Sequence, residues 1–155
     1  MGAKDNRKLE ARADVPIYTS TVLEHDVEVI GPVIAELYVR SSLQYTDFFA
    51  RLCVVEPSGK SINLCDGIVR LTPGCVVPQA DGSLRIQIDI WPTAYRFHRG
   101  QRIRIQVSSG AHPRFTRNLG SGEPLATAST LRIAEQTVFH DPEHPSAILL
   151  PIIRA

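Results

Sequence analysis

The chain has 155 residues, of which 43% are hydrophobic and 21% charged, and a formal net charge of +1. This balance is typical of a single soluble globular domain, with neither the basic excess of a nucleic-acid-binding protein nor an acidic tail. No apolar stretch approaches the ~18 residues of a membrane span and no signal-peptide pattern opens the chain. We therefore expect a cytoplasmic protein with no membrane or nucleic-acid partner.

The N-terminal 14 residues are polar and show no periodic pattern. They are predicted to be a leader or linker, either a flexible arm or the connection from a missing partner. Residues 15–155 are predicted to form one domain. Its first elements are short extended segments at 16–19 and 27–30, and then a strand at 33–39 whose alternate residues are apolar.

A strand that is apolar on both faces follows at 47–55, with Arg51 as its polar exception. This pattern predicts a central strand, and the Pro57-Ser58-Gly59-Lys60 turn predicts a hairpin return over 61–71. Phe48 and Phe49 must point to opposite faces because they are neighbours on a strand. Either the strand is covered on both sides, or one of these rings belongs to an exposed patch that awaits another domain.

The clearest folding signal is the segment 83–109, in which two alternating arms, 84–90 and 102–108, each have one apolar and one polar face. A hairpin is predicted, in which Trp91-Pro92 ends the first arm and Arg99-Gly100 supplies the turn before the second. Trp91, at a strand end, is expected in the core.

Two further strands are predicted at 137–140 and 147–153, and the best helical candidate, 125–134, is weakened by its threonines and serine. Eight or nine strands separated by turn signals, without helical crossovers, indicate an antiparallel β-sandwich or barrel. The long connections favour an eight-stranded jelly roll.

The sequence offers little catalytic chemistry. It contains no GxSxG nucleophile motif, and Gly120-Ser121-Gly122 is interpreted as a loop. The run His140-Asp141-Pro142-Glu143-His144 holds four potential metal ligands, but Pro142 precludes a helix that would align them, so a turn is favoured.

Three cysteines, Cys53, Cys65 and Cys75, form no CxxC pair. They predict neither a disulfide framework nor a zinc ribbon, and are interpreted as small buried residues without a catalytic role. The arginines of segment 113–118 could bind a carboxylate or donate to carbonyl groups of neighbouring strands.

Several motifs occur in an order that resembles one family, the C-terminal domain of the X-Pro dipeptidyl-peptidase and cocaine esterase (CocE/NonD) serine hydrolases. They are Gly31-Pro32-Val33, Thr46-Asp47-Phe48-Phe49, Cys65-Asp66-Gly67-Ile68-Val69-Arg70, the segment 88–104, Pro113-Arg114-Phe115-Thr116-Arg117-Asn118 and His140-Asp141-Pro142. The sequence departs from the family pattern at Gln101, where a histidine is usual, and at 119–122.

The resemblance implies an all-β, jelly-roll β-sandwich that is galactose-binding-domain-like and packs against an α/β-hydrolase domain. The catalytic serine, aspartate and histidine would belong to that partner, so this chain alone is expected to be inactive and to need no cofactor. The residues expected at the substrate cleft or domain interface are Asp47, Phe48, Phe49, Asp66 and Arg114.

Two alternative functions remain open at this point. A free-standing carbohydrate- or ligand-binding module would use the same fold. A cupin-like metalloenzyme would need a ligand spacing that the histidines lack. An uncovered apolar patch could also lead the chain to form a homodimer.

Overall fold

The computed structural model describes residues 2–153, and these residues form two antiparallel β-sheets preceded by one helical turn. Met1, Arg154 and Ala155, which the predicted leader and domain ranges include, lie outside the described residues. The elements in chain order are α1 (Arg7–Glu10), β1 (Ile17–Thr19), β2 (Val27–Ser41), β3 (Thr46–Val55), β4 (Ser61–Leu71), β5 (Leu84–Phe97), β6 (Arg102–Ser108), β7 (Gln136–Phe139), β8 (Ala147–Leu149) and β9 (Ile152–Ile153). No helix within residues 2–153 has the length and apolar character needed to cross a bilayer.

One sheet has four strands in the order β1-β6-β3-β4, and we call it sheet A. The other, sheet B, has β5, β2 and β7 in that order, with β8 and β9 also pairing with β2. The antiparallel, nearly all-β architecture predicted from the turn signals is therefore confirmed. β3 is a central strand of sheet A and forms the expected hairpin with β4.

The core lies between the two sheets and is built from alternate residues of the long strands. Its fully buried members include Val33, Val39, Phe48, Leu52 and Ile88. Burying each large aliphatic or aromatic side chain contributes about 1.5–3 kcal/mol, so this layer supplies most of the driving force for folding.

The predicted hairpin over 83–109 is wrong, because its two arms lie in opposite sheets as β5 and β6. Trp91-Pro92 also does not end the first arm. Pro92 lies opposite Pro32 of β2, and the register shifts between Pro32 and Ile34, so the ladder is disturbed locally and resumes on both sides. Trp91 is 64% exposed at this irregularity rather than buried in the core.

The N-terminal segment lies against the outer face of sheet A. Asp5 forms a bridge to Ile62 of β4, and Glu10 of α1 is only 9% exposed. These contacts place Asp5 and Glu10 on the sandwich, and the role of residues 1–14 as a leader or linker stays a prediction. The weak helical candidate at 125–134 does not form a helix, and this segment consists of turns and irregular chain.

Candidate functional site

The outer face of the β3–β4 hairpin carries oppositely charged residues in directly paired positions. Asp47 lies opposite Arg70, and Arg51 lies opposite Asp66. These residues alternate with the core residues of β3, so their side chains point away from the other sheet. We call Asp47, Arg51, Asp66, Arg70 and Arg114 the outer-face cluster.

Asp66 lies between two guanidinium groups. Its Oδ2 accepts hydrogen bonds from Nε and Nη2 of Arg51, at 3.3 and 3.2 Å. Its Oδ1 lies 2.6 Å from Nε of Arg114, an ion-pair contact whose angles do not make it a hydrogen bond. The side chains of Arg51 and Asp66 are 10% and 6% exposed, so losing one partner would leave a buried charge unpaired.

Asp47 connects the outer face of the β3–β4 hairpin to a loop. Arg70 donates to both its carboxylate oxygens, Nε to Oδ1 at 2.8 Å and Nη2 to Oδ2 at 2.7 Å, and this hydrogen bonding raises the pKa of Arg70. Asn118 Nδ2 donates to Oδ1 at 2.8 Å, and Arg70 Nη2 also donates to the carbonyl of Thr116. Both contacts hold residues 109–118, hereafter the 109–118 loop, against the hairpin.

The two neighbouring phenylalanines have different surroundings, and each is 1% exposed. Phe48 belongs to the core between the sheets. Phe49 lies on the outer face, where its ring meets Phe115 edge-to-face at 6.1 Å and the guanidinium of Arg51 lies 5.0 Å from its centroid. The 109–118 loop therefore covers Phe49, and the strand is covered on both sides.

The structure thus gathers four of the five predicted site residues on one face, whereas Phe48 points into the core. Of the five, only Asp47 and Phe48 line a cleft of about 510 Å³, together with residues that include Tyr45, Asn118 and Leu131. Arg114 is the most accessible of the five, with its side chain 32% exposed. Of the two uses foreseen for this arginine, it makes the carboxylate contact, with Asp66. Contact of any of the five with a substrate stays a prediction.

A second polar network on sheet A was not foreseen from the sequence. Glu10 accepts hydrogen bonds from Ser61 Oγ at 2.5 Å, Gln106 Nε2 at 2.6 Å and Arg104 Nη1 at 2.6 Å. Asn6 Oδ1 accepts from Arg51 Nη1 at 3.0 Å, which connects this network to the outer-face cluster. α1 therefore covers the face of β6 that the alternating pattern predicted to be wet.

The cysteines differ in burial: Cys53 is buried as predicted, whereas Cys65 is half-buried and Cys75 is exposed. Burial raises the pKa of Cys53 to about 12 and that of Cys65 to about 11, so both remain neutral thiols at physiological pH. Cys75 is exposed in the loop after β4, and its Sγ accepts a hydrogen bond from the Thr72 amide at 3.2 Å.

The stretch 140–144 forms a turn, as its proline predicts. His144 lies between two aspartates, with Nδ1 3.0 Å from Asp141 Oδ1 and Nε2 3.2 Å from Asp81 Oδ2. Arg40 also reaches Asp81, and the Phe139 and Tyr38 rings lie 4.8 and 5.7 Å from the imidazole. Within residues 2–153, no group of three or more His, Cys, Asp or Glu side chains is placed to hold a metal ion.

The surroundings of His144 predict that its contribution to the stability of the fold depends on pH. Burial lowers the pKa of His144, but the hydrogen bonds and charges of Asp141 and Asp81 outweigh burial and raise it. Both ring nitrogens can donate only in the imidazolium. Since the pKa is higher in the folded state, the stabilisation is fully present below about pH 6.5 and is lost as the pH rises through the folded pKa.

We therefore expect His144→Gln to lower the melting temperature more at pH 5.5 than at pH 8.5, as measured by thermal unfolding. His25→Gln is the control, because His25 is exposed and its replacement should change the melting temperature little at either pH. An equal effect of His144→Gln at both pH values would contradict the prediction.

The fold and the outer-face cluster together define a two-sheet β-sandwich domain. Its charged residues hold the 109–118 loop against sheet A. Residues 3–149 match the family described as the X-Pro dipeptidyl-peptidase C-terminal non-catalytic domain, and the chain belongs to this family. The resemblance seen in the sequence motifs is thereby confirmed.

The relatives include both esterases and peptidases. The chain is 40% identical to cocaine esterase of Rhodococcus sp. (strain MB1 Bresler) over 99% of its own length and 28% of that protein's. An aminopeptidase from a marine sediment archaeon, Thaumarchaeota archaeon, superposes with a TM-score of 0.87 at 26% identity, over 98% of this chain and 28% of that one. An α-amino acid ester hydrolase has the same fold, with a TM-score of 0.86 at 24% identity, over 96% of this chain and 27% of that one. The chain thus spans little more than a quarter of the length of each relative.

Proposed function

We propose that this chain is the non-catalytic C-terminal domain of a serine hydrolase that acts on esters or X-Pro dipeptides. In this proposal it packs on an α/β-hydrolase domain of the same protein and shapes one side of its substrate cleft. The observation that carries the proposal is the 40% identity to cocaine esterase over 99% of this chain, which corresponds to only 28% of that protein. We place the protein in the cytoplasm and assign its sandwich to the jelly-roll, galactose-binding-like type.

We assign the 109–118 loop and the adjoining cleft as the surface of this chain that contacts the hydrolase domain. The loop contacts the outer face of the hairpin through Asp66, Asp47 and Phe49. Its backbone is therefore fixed before any partner binds. Pro113, Thr116 and Arg117 of the loop are exposed. A pre-ordered loop loses little conformational entropy on docking, which favours a stable domain interface.

The first test separates the isolated chain from the parent hydrolase, by which we mean the longer protein encoded when the upstream reading frame is included. The isolated chain should not turn over a p-nitrophenyl ester or an X-Pro p-nitroanilide, whereas the parent hydrolase should turn over at least one. Turnover by the isolated chain that is abolished by mutating one serine would contradict the proposal, as would an upstream frame without a hydrolase.

The second test probes the loop within the parent hydrolase. Arg114→Ala should leave the domain folded, because Asp66 keeps both hydrogen bonds to Arg51. We expect a rise in KM of about fivefold or more, since 1 kcal/mol of lost positioning corresponds to about that factor. Arg99→Ala is the matched control, because this exposed arginine lies at the opposite end of the sandwich, near Pro57 and Gly100. Equal kinetics for both variants would argue against this side of the domain.

One observation favours a second candidate function, a free-standing carbohydrate- or ligand-binding module. Trp91 is 64% exposed, and an exposed indole can stack on a sugar ring. Quenching of the fluorescence of this single tryptophan on titration with saccharides would support the module, and an unchanged spectrum up to millimolar concentration would exclude it. Homodimerisation of the isolated chain also stays a prediction, which light scattering can test.

A further inference from the structure

Trp91 combines exposure with an unusual backbone conformation. Its φ is +76°, and within residues 2–153 it is the one non-glycine residue with positive φ. Bulky side chains rarely adopt this conformation because the Cβ crowds the backbone, so it costs stability. The Trp91 amide donates to Asp89 Oδ1 at 2.9 Å, which stabilises this backbone conformation. The fold thus retains a strained residue whose side chain it does not bury.

Trp91 lies next to the outer-face cluster around the edge of the sandwich. β4 and β5 are edge strands of the two sheets, and they touch where Gly67 meets the carbonyl of Asp89 and the Cα of Ile90. Gly67 directly follows Asp66, and Ile90 directly precedes Trp91. Asp66, which pairs with Arg114, and Trp91 are therefore each one residue from the contact between β4 and β5.

The surface near Trp91 carries both an exposed aliphatic side chain and charged residues. Ile30, 52% exposed, lies on β2 opposite Ala94, three residues beyond Trp91. Asp89, two residues before Trp91, is exposed, and its Oδ1 accepts the hydrogen bond from the Trp91 amide. Farther along the strand, Glu28 and Arg96 form an ion pair with each other. An exposed tryptophan beside an aliphatic side chain is the composition typical of the centre of a protein interface.

We infer that Trp91 is an anchor that the hydrolase domain of the parent protein buries, as an extension of the interface at the 109–118 loop. This inference rests on the proposed function. Two observations support this occupant. The chain corresponds to only 28% of cocaine esterase, so most of such a protein lies outside this structure. Trp91 lies across the β4–β5 contact from Asp66, whose ion pair with Arg114 holds the loop that we assign to the interface. The partner surface must offer an apolar pocket with an acceptor for the indole N–H.

Hydroxyl-radical footprinting with mass spectrometry tests this directly, because it reports the exposure of individual side chains. Trp91 should be oxidised at least tenfold more slowly in the parent hydrolase than in the isolated chain. His25, which is exposed at the far end of the sandwich, serves as the internal control and should react equally in both. Equal oxidation of Trp91 in a folded, active parent hydrolase would overturn the anchor and leave the proposed function standing.

Other outcomes name other occupants and also overturn the inference. Protection of Trp91 in the isolated chain that grows with its concentration would indicate a second copy, and protection by saccharides would indicate the ligand-binding module. An upstream frame without a hydrolase would contradict the proposed function itself. The footprinting result alone tests only the role of Trp91.

A substitution separates docking from folding. Trp91→Asn should leave the melting temperature of the isolated chain unchanged or raise it, because asparagine tolerates positive φ. In the parent hydrolase the same change should increase the rate of proteolysis between the domains at least tenfold. Val77→Asn is the matched control, since Val77 is 81% exposed on the loop before β5. If both variants leave proteolysis unchanged, Trp91 is not an anchor.

Discussion

Gly67→Ala is expected to lower the free energy of unfolding by about 3 kcal/mol, at the upper end of what overpacking usually costs. A Cβ at this position would lie 1.9 Å from the carbonyl oxygen of Asp89, a backbone atom that cannot rotate away. β4 and β5 would have to separate, which loosens contact between the edges of both sheets. For a domain of this size the melting temperature should fall by about 6–12 °C in a thermal scan.

The matched control is Gly110→Ala. An added Cβ at Gly110 meets no atom within 4 Å, and this glycine does not have positive φ. Its replacement should change the melting temperature by no more than a degree or two, because a surface substitution away from such contacts usually costs less than about 0.5 kcal/mol. Similar stability of the two variants would show that β4 and β5 do not approach as closely as described.

Alternation predicted the strands well because it depends only on which face of a sheet is buried. Ala35, Leu37 and Val39 of β2, and the apolar arm of β5, occupy the core as expected. Which sheet a strand joins is decided by contacts distant in the chain, and no local pattern encodes them. That is why 84–90 and 102–108 were predicted to pair although they lie in opposite sheets.

The outer-face cluster was partly readable from the sequence. A hairpin turn at 57–60 brings the charged residues of β3 near those of β4, which is the available signal for Arg70, a residue not predicted at the site. The exact partners depend on a register shift between Leu52 and Cys53, which brings Arg51 opposite Asp66. Without this irregularity Arg51 would lie opposite Cys65. A bulge of this kind has no reliable local signature.

The N-terminal segment shows that polar residues in a sequence need not be exposed to solvent in the fold. Asn6 and Glu10 are polar but 6% and 9% exposed, because polar groups on sheet A satisfy them. Arg104 and Gln106, which alternation assigned to a wet face, are their counterparts. Each set of polar residues looks solvent-exposed by itself, and only the pairing of the two buries both.

Glu10→Ala provides the strongest test of whether this segment is part of the domain. Removing the carboxylate leaves Gln106 Nε2 and Arg104 Nη1 without their acceptor, although Arg104 Nε still donates to Thr19 Oγ1. Gln106 Oε1 already has no hydrogen-bond partner within the described residues. Breaking a buried ion pair from one side typically costs 3–5 kcal/mol, and Arg104 is 16% exposed, so we expect about 3 kcal/mol.

The measurement is denaturant unfolding of the isolated chain, with Glu24→Ala as the matched control because Glu24 is exposed. Glu10→Ala should lower the denaturant midpoint clearly, whereas the control should leave it unchanged. The double variant Glu10→Ala/Arg104→Met should be more stable than Glu10→Ala, because the guanidinium that has lost its carboxylate partner is then removed as well. If Glu10→Ala costs no more than the control, residues 2–14 do not stabilise the sandwich, and the segment acts as the linker that the sequence alone suggested. A large cost with partial recovery would instead make α1 an integral part of sheet A, so that a version of this domain starting at Val15 would expose Arg104, Gln106 and Arg51 to solvent.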